Sequence, residues 1–346
     1  MRIFKMPTQA EMLDREDEFF SRGFMMSYSG LNKLLFSPKL FYTHYILGQK
    51  DDTSDKNMIE GKLIHCLFLN PEDFEKEFVL MATDVPSDNP KEVLQRVYAH
   101  YSELKAMGDP RCLLEHFQHA IIDILKDMNL YQSLKTDQQR IDKIITEKHQ
   151  SYWEYMKKCE GKINIDQGMY DNAKAVVEII KESDHVMKVM GYTKEHITDN
   201  VEMKNEIELA AFPEDLPFGL RGFIDNLVFD HTNKVIRVND LKKTSKDLNS
   251  FEDSISFWRY WMQTSIYYGL VKNVYLDTPA YADYNFEFRF IVIDPYMQVG
   301  VIKISSATLA IWVRDTNQKL VEAAYHFENR NFDLPYQFLL NNELEI

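Results

Sequence analysis

The sequence predicts an α/β fold of the α+β kind, with its strands gathered late in the chain and a large helical insertion before them. Three observations lead there. Residues 219–244 read as two strands around a polar turn, the second rich in Val and Ile. Residues 286–304 read as another hairpin, closed by a long amphipathic helix over 305–328. From about 90 to 201 the apolar spacing is almost wholly helical. With 346 residues, 45% of them hydrophobic, the chain can bury a sizeable core.

In chain order, residues 1–26 show little beyond an acidic, helix-compatible patch and read as a peripheral arm. Ser27 and Ser29 are N-cap candidates ahead of Leu31, Leu34 and Leu35, and Ser37-Pro38 ends that helix and starts another. Residues 48–57 read as a polar loop. Met58 to Leu69 has helical spacing, with His65 among Leu63, Ile64, Leu67 and Phe68, and Gly61 is expected to allow close backbone approach. A short strand is expected at 78–81, then helices over 91–107, 110–132, 135–159 and 166–190. Strands follow at 201–212, 219–229 and 234–242, then a helix over 252–272. The expected divisions are 1–83, an insertion over 84–200, and a core over 201–346.

Composition narrows the function classes. No apolar run approaches the roughly 20 residues that span a bilayer. The first residues lack the sustained apolar stretch of a signal peptide. Cys66, Cys112 and Cys159 are scattered, which suits a reducing compartment, so a cytoplasmic protein without a disulfide framework is expected. No G-x-x-x-x-G-K-[ST] loop is present, so no ATP-driven step is expected. The net charge of −14 runs against a general affinity for polyanions. Lys234, Arg237, Lys242, Lys243 and Lys246 nevertheless crowd one short stretch and predict a locally basic cleft, with Lys243 and Lys246 as candidate DNA contacts.

That stretch also carries the chemistry. On a strand, Asp240 and Lys242 share the face of Ile236 and Val238. A carboxylate and an amine on a buried strand end are costly unless paired or given a metal. Asp225, on the preceding strand, adds a second carboxylate, and two carboxylates beside one lysine suit a Mg²⁺ site for phosphodiester hydrolysis. The plainer alternative is a solvated ion pair. Two weaker constellations read as packing. Cys112, His116 and His119 share a helical face but lack a fourth zinc ligand, and Tyr152, Trp153 and Tyr155 suit a core face better than base stacking.

Taken in order, five blocks resemble the PD-(D/E)xK nucleases, in particular the phage-type exonuclease VIII (RecE-like) group, with RecB-type nuclease domains as cousins. They are Ser27–Leu31 with Phe36–Phe41, Glu60–His65 with Leu69–Phe74, Gly222–Asp225, Asp240-Leu241-Lys242, and Gln263 with Tyr267. The resemblance implies a restriction-endonuclease-like central mixed sheet flanked by helices. It implies a Mg²⁺ site, with Mn²⁺ as substitute, held by His65, Glu206, Asp225 and Asp240, Glu208 being the alternative to Glu206. Asp225, Asp240, Lys242, Gln263 and Tyr267 are the implied catalytic group. The implied activity is 5′ to 3′ digestion of duplex DNA ends for recombination or phage DNA processing, by a homo-oligomer working with a single-strand annealing protein. A single-strand or repair endonuclease of the same fold, or a non-catalytic DNA-binding module, stands as the alternative. Three scattered cysteines exclude the four-cysteine iron–sulfur cluster of some RecB-type domains.

Overall fold

The computed structural model describes residues 9–49, 55–192 and 200–343. Parts of the expected arm (1–8) and of the expected 48–57 loop (50–54) lie outside the described residues. The chain forms two compact units, one of residues 1–70 and 174–346, the other of residues 71–173. The insertion expected at 84–200 shares residues 84–173 with the second.

The first unit is built on a mixed sheet of six strands flanked by helices. Its strands are β1 (Met25–Met26), β4 (Val201–Ala211), β5 (Gly219–Asp230), β6 (Val235–Lys243), β7 (Asn285–Ile293) and β8 (Val299–Ile304), while β2 (Phe78–Leu80) and β3 (Ile163–Ile165) belong to the other unit. The β5–β6 pair is antiparallel, from Asp230↔Val235 to Asn226↔Asn239. Its turn has a local cause: Asp230 Oδ1 accepts the Asn233 N–H at 2.9 Å, and Lys234 takes a left-handed φ of 51°. β6 pairs parallel to β7, and β7 antiparallel to β8. β4 runs antiparallel along one edge of β5. On the other edge β6 pairs with residues 226–230 and β1 with Gly219 and Leu220, so among the described residues no strand pairs with 221–225 of β5 there.

That gap positions the site. Ile224, Leu227 and Phe229 of β5 all enter one apolar core with Ile236 and Val238 of β6. The pairing with β4 keeps one register on both sides of Asp225, Ile207↔Ile224 before it and Asn205↔Asn226 after it. In β4 Glu206 lies opposite Asp225, the one pair missing from that register, and takes a left-handed φ of 48°. Over the same core lie Met262, Ile266 and Leu270 of the Tyr260–Val271 helix and Leu320, Ala323 and Phe327 of the Ser306–Glu328 helix.

Several expected elements change. The N-terminal segment is no loose arm: Gln9–Ser21 is a helix, Phe19, Phe20 and Phe24 pack against the core, and Met25–Met26 joins the sheet. The helix expected over 252–272 is two, Phe251–Trp258 and Tyr260–Val271, parted by Arg259 at φ 58°. Beyond Asn331, Phe332 is buried and Tyr336–Asn341 is helical. Nothing lies within 4 Å of a Cβ placed on Gly61, so the close approach expected there is absent.

The second unit is mainly helical around Val93, Leu94, Val97, Tyr101, Phe117, Ile121, Leu125, Tyr152 and Trp153. It also holds a strand the helical spacing concealed: β3 (Ile163–Ile165) pairs parallel with β2 (Phe78–Leu80). The helix expected over 135–159 is broken before Glu147, where Thr146 Oγ1 caps the new helix by accepting from His149 N. Cys112 lies outside any helix, and its N–H points at His116 Nδ1 (3.3 Å), so the face imagined for zinc does not form.

Candidate metal centre

Where β6 leaves β5, the backbone of Leu241 loses its partner strand, and side chains take over. Leu241 N–H donates to Asp225 Oδ2 at 2.7 Å, and His65 Nε2 lies 2.9 Å from Leu241 O. A carbonyl only accepts, so Nε2 carries the proton it donates. That choice turns Nδ1 toward the carboxylates, 3.6 Å from Asp225 Oδ1 and 3.7 Å from Glu206 Oε1. His65 comes from the Lys56–Leu69 helix, capped by Asp55, whose side chain accepts from Asn57 N.

These three ligand atoms lie within 4.8 Å of one another, the only such grouping of three His, Cys, Asp or Glu side chains among the described residues. Ligands about 2.1 Å from one ion stand roughly 3–3.5 Å apart. The observed spacings are close to that. Glu206 Oε1 is buried and makes no hydrogen bond, a cost that a bound cation removes. A backbone carbonyl holding the far nitrogen of a ligating histidine is the usual support of such sites. One imidazole and two carboxylates therefore fit a divalent metal, oxygen-rich enough for Mg²⁺ or Mn²⁺.

Asp240 stands beside this trio, fully buried, and its oxygens are otherwise engaged. Oδ2 is 2.6 Å from Lys242 Nζ, and Oδ1 accepts from Gln263 Nε2 at 2.9 Å. Gln263 Nε2 also reaches Tyr267 Oη at 3.0 Å, and Tyr267 donates to Phe223 O. Gln263 thus holds Asp240, and Tyr267, one turn on along the same helix face, holds Gln263. Lys242 Nζ lies 4.9 Å over the Tyr260 ring. Sequence reading gave Tyr260 no part in the site, and Gly222 only a place at the head of the Gly222–Asp225 block. A Cβ at Gly222 would come within 2.6 Å of the Tyr267 ring, so the gap left by that glycine admits the tyrosine. A glycine three residues before Asp225 was visible; its partner was not.

Charges in the pocket offset one another. Burial opposes protonation of His65, yet Asp225 and Glu206 outweigh it and raise its pKa to about 9. Burial, with Asp225 nearby, raises Asp240 to about 6 against the pull of Lys242. For Lys242, burial is overcome by Asp240 and Asp225, and its pKa is raised. The amine is therefore a fixed cation, suited to balancing charge and unsuited to accepting a proton.

The other predicted residues fall as follows. Glu206 joins the trio, while Glu208 pairs with Arg221 at 3.9 Å. Lys243 pairs with Glu60, and Lys246 with Asp253 at 2.8 Å. Lys234 and Arg237 pair with Asp283 and Glu287. Each of the crowded cations thus has a carboxylate partner, and the expected basic patch is a set of neutralised pairs.

No protein-family model matches the chain, and no curated protein matches its sequence. Among solved structures, a candidate exonuclease from Eubacterium rectale is similar in backbone over 100% of this chain and 96% of its own, at 11% identity and a TM-score of 0.46. So distant a likeness bears no weight for function, which rests on the geometry of the site.

Proposed function

We propose that the chain is a metal-dependent nuclease that hydrolyses phosphodiester bonds in DNA. The observation that carries this reading is the convergence of His65 Nδ1, Glu206 Oε1 and Asp225 Oδ1 beside the buried Asp240–Lys242 pair. His65, Glu206 and Asp225 would hold Mg²⁺ or Mn²⁺, with Asp240 completing the acidic set. When bound, such an ion lowers the pKa of a water and polarises a phosphoryl oxygen.

The chain's own residues do the rest. Leu241 fixes the Asp225 carboxylate and the His65 ring through its N–H and C=O. Tyr267 holds Gln263, Gln263 holds Asp240, and Asp240 holds Lys242, so the ammonium is positioned before any substrate arrives. A fixed positive charge stabilises the extra negative charge of a pentavalent phosphorus without reorganising. We assign the substrate as duplex ends digested 5′ to 3′, with a strand-annealing protein as partner and a homo-oligomer as the working form. This follows the resemblance in motif order.

End-labelled duplex in Mg²⁺ or Mn²⁺, compared with hairpin-capped duplex, tests the reading. Uncapped ends should be degraded and capped ones spared; cleavage of both means an endonuclease. Asp240→Asn and Lys242→Ala should each lower the rate by about 10²–10³ or more with the circular dichroism spectrum unchanged. Binding without degradation, unaltered by Asp240→Asn, marks a non-catalytic module. A protein inert toward every polynucleotide in both metals ends the proposal.

A further inference from the structure

Each site acid on the strands has an asparagine as its sequence neighbour: Asn205-Glu206, Asp225-Asn226 and Asn239-Asp240. Asn205 is the Cα partner of Asn226, and Asn226 of Asn239, so the three amides form a row across β4, β5 and β6. Asn226 and Asn239 are fully buried.

The amides form a chain with one direction. Asn239 Nδ2 donates to Asn226 Oδ1 at 2.7 Å, Asn226 Nδ2 to Asn205 Oδ1 at 2.9 Å, and Asn205 Nδ2 to Leu69 O at 3.2 Å. The spare N–H groups of Asn239 and Asn226 go to Val189 O and Met190 O, each at 3.2 Å. Those carbonyls only accept, which fixes every amide orientation along the row. Leu69 ends the helix that carries His65, one turn further on. The row therefore ties together each element that supplies a residue to the centre: that helix, β4, β5 and β6.

We infer that Asn205, Asn226 and Asn239 are positioning residues for the metal centre, a hydrogen-bonded ladder that sets the strand register on which the ligands converge. The inference rests on the metal-centre reading above and names the device behind it. Buried amides are a poor choice for stability alone, since β-branched side chains suit strand interiors better. Asn239 Oδ1 even lies buried without a partner. What an amide row adds is a second lock on register: a slip of two residues keeps every side chain on its own face, yet breaks every bond in the row and moves the acids apart. The neighbouring strand pairing is irregular at Glu206 and Asp225, so the regular ladder cannot hold those residues by itself. Metal ligands need placement within about 0.5 Å.

The full chain is tested as Asn226→Ala and Asn205→Ala, with Val228→Ala as a cavity-making control on β5. Asn205 is only partly buried, so its variant serves where Asn226→Ala does not fold. Two quantities are read: hydrogen exchange of the Leu241 amide without divalent ions, and Mn²⁺ affinity by calorimetry. The ladder variants should exchange Leu241 at least about tenfold faster and bind Mn²⁺ about 10–100-fold more weakly, while Val228→Ala leaves Mn²⁺ affinity within about twofold. A folded ladder variant with wild-type Mn²⁺ affinity overturns the inference, as does a control that loses as much. If the unaltered protein takes up no Mn²⁺, the metal-centre reading fails, and the Leu241 exchange rate alone decides whether the ladder holds the strands.

Discussion

Glu206 is a glutamate where the backbone asks for glycine. Its φ of 48° lies in the left-handed region, which costs an L-residue roughly 1–2 kcal/mol, and the strain coincides with an unpartnered buried carboxylate oxygen. Both oddities have one explanation if the side chain is held for an ion. Glu206→Ala and Glu206→Gly remove the carboxylate equally, so their difference isolates the backbone. Gly should be the more stable by about 1 kcal/mol in urea denaturation despite its entropic disadvantage in a strand. An Ala variant as stable as the Gly variant would show that the left-handed conformation is not what the chain adopts. Of this site, Asp225, Asp240 and Lys242 were legible because a carboxylate and an amine on one strand face are anomalous. Glu206 was legible only with Glu208 as its rival, since nothing in the letters reveals that the backbone turns left-handed there.

At the scale of elements, β7 illustrates how a strand is held in place by charge. Glu287 is the Cα partner of Arg237 and meets Arg237 at 3.1 Å, Arg289 at 2.9 Å and Lys303 besides. Burial pushes its pKa up, but the hydrogen bonds from Lys303 and Arg237 and the Arg289 charge prevail and hold it below the usual value. A depressed folded pKa means stability that is present above the unfolded value of 4.5 and lost as pH falls through the folded one. Wild type should therefore exceed Glu287→Gln by about 1 kcal/mol at pH 7, the gap closing below about pH 4. Thermal melts across that range check it; a gap constant with pH would mean the loss is one of packing. Element existence in this unit was read well from periodicity. Element breaks were not: Arg259 splits a continuous aromatic helix because its backbone turns left-handed, and no Gly or Pro marks the place.

For the whole molecule, the decisive quantity is where 54 acids and 40 bases sit. The cations expected to make a basic cleft are consumed in pairs with Asp283, Glu287, Asp240, Glu60 and Asp253. None of those five stands without a carboxylate partner to displace counterions from a phosphate backbone. Under the proposed function, duplex binding by Asp240→Asn in Mg²⁺ should have a salt slope shallower than about −3, near −0.9 for each of a few phosphate contacts. Fluorescence anisotropy across a salt series measures it, and a slope of about −6 would reveal a cationic surface elsewhere on the chain.

By itself the sequence determined the class of fold, the hairpin at 219–244 and the carboxylate and amine that share its buried end. These follow from period-two and helical spacing and from the cost of burying charge, all local in the chain. Only the tertiary structure decided that His65 and Glu206 join Asp225, that Asp240 turns to Lys242 and Gln263, and that the nearby lysines are neutralised. Those outcomes depend on partners far apart in sequence, such as His65 with Leu241 and Lys243 with Glu60. Side-chain pairing across such separations is set by the register of the sheet, which no single stretch of residues encodes.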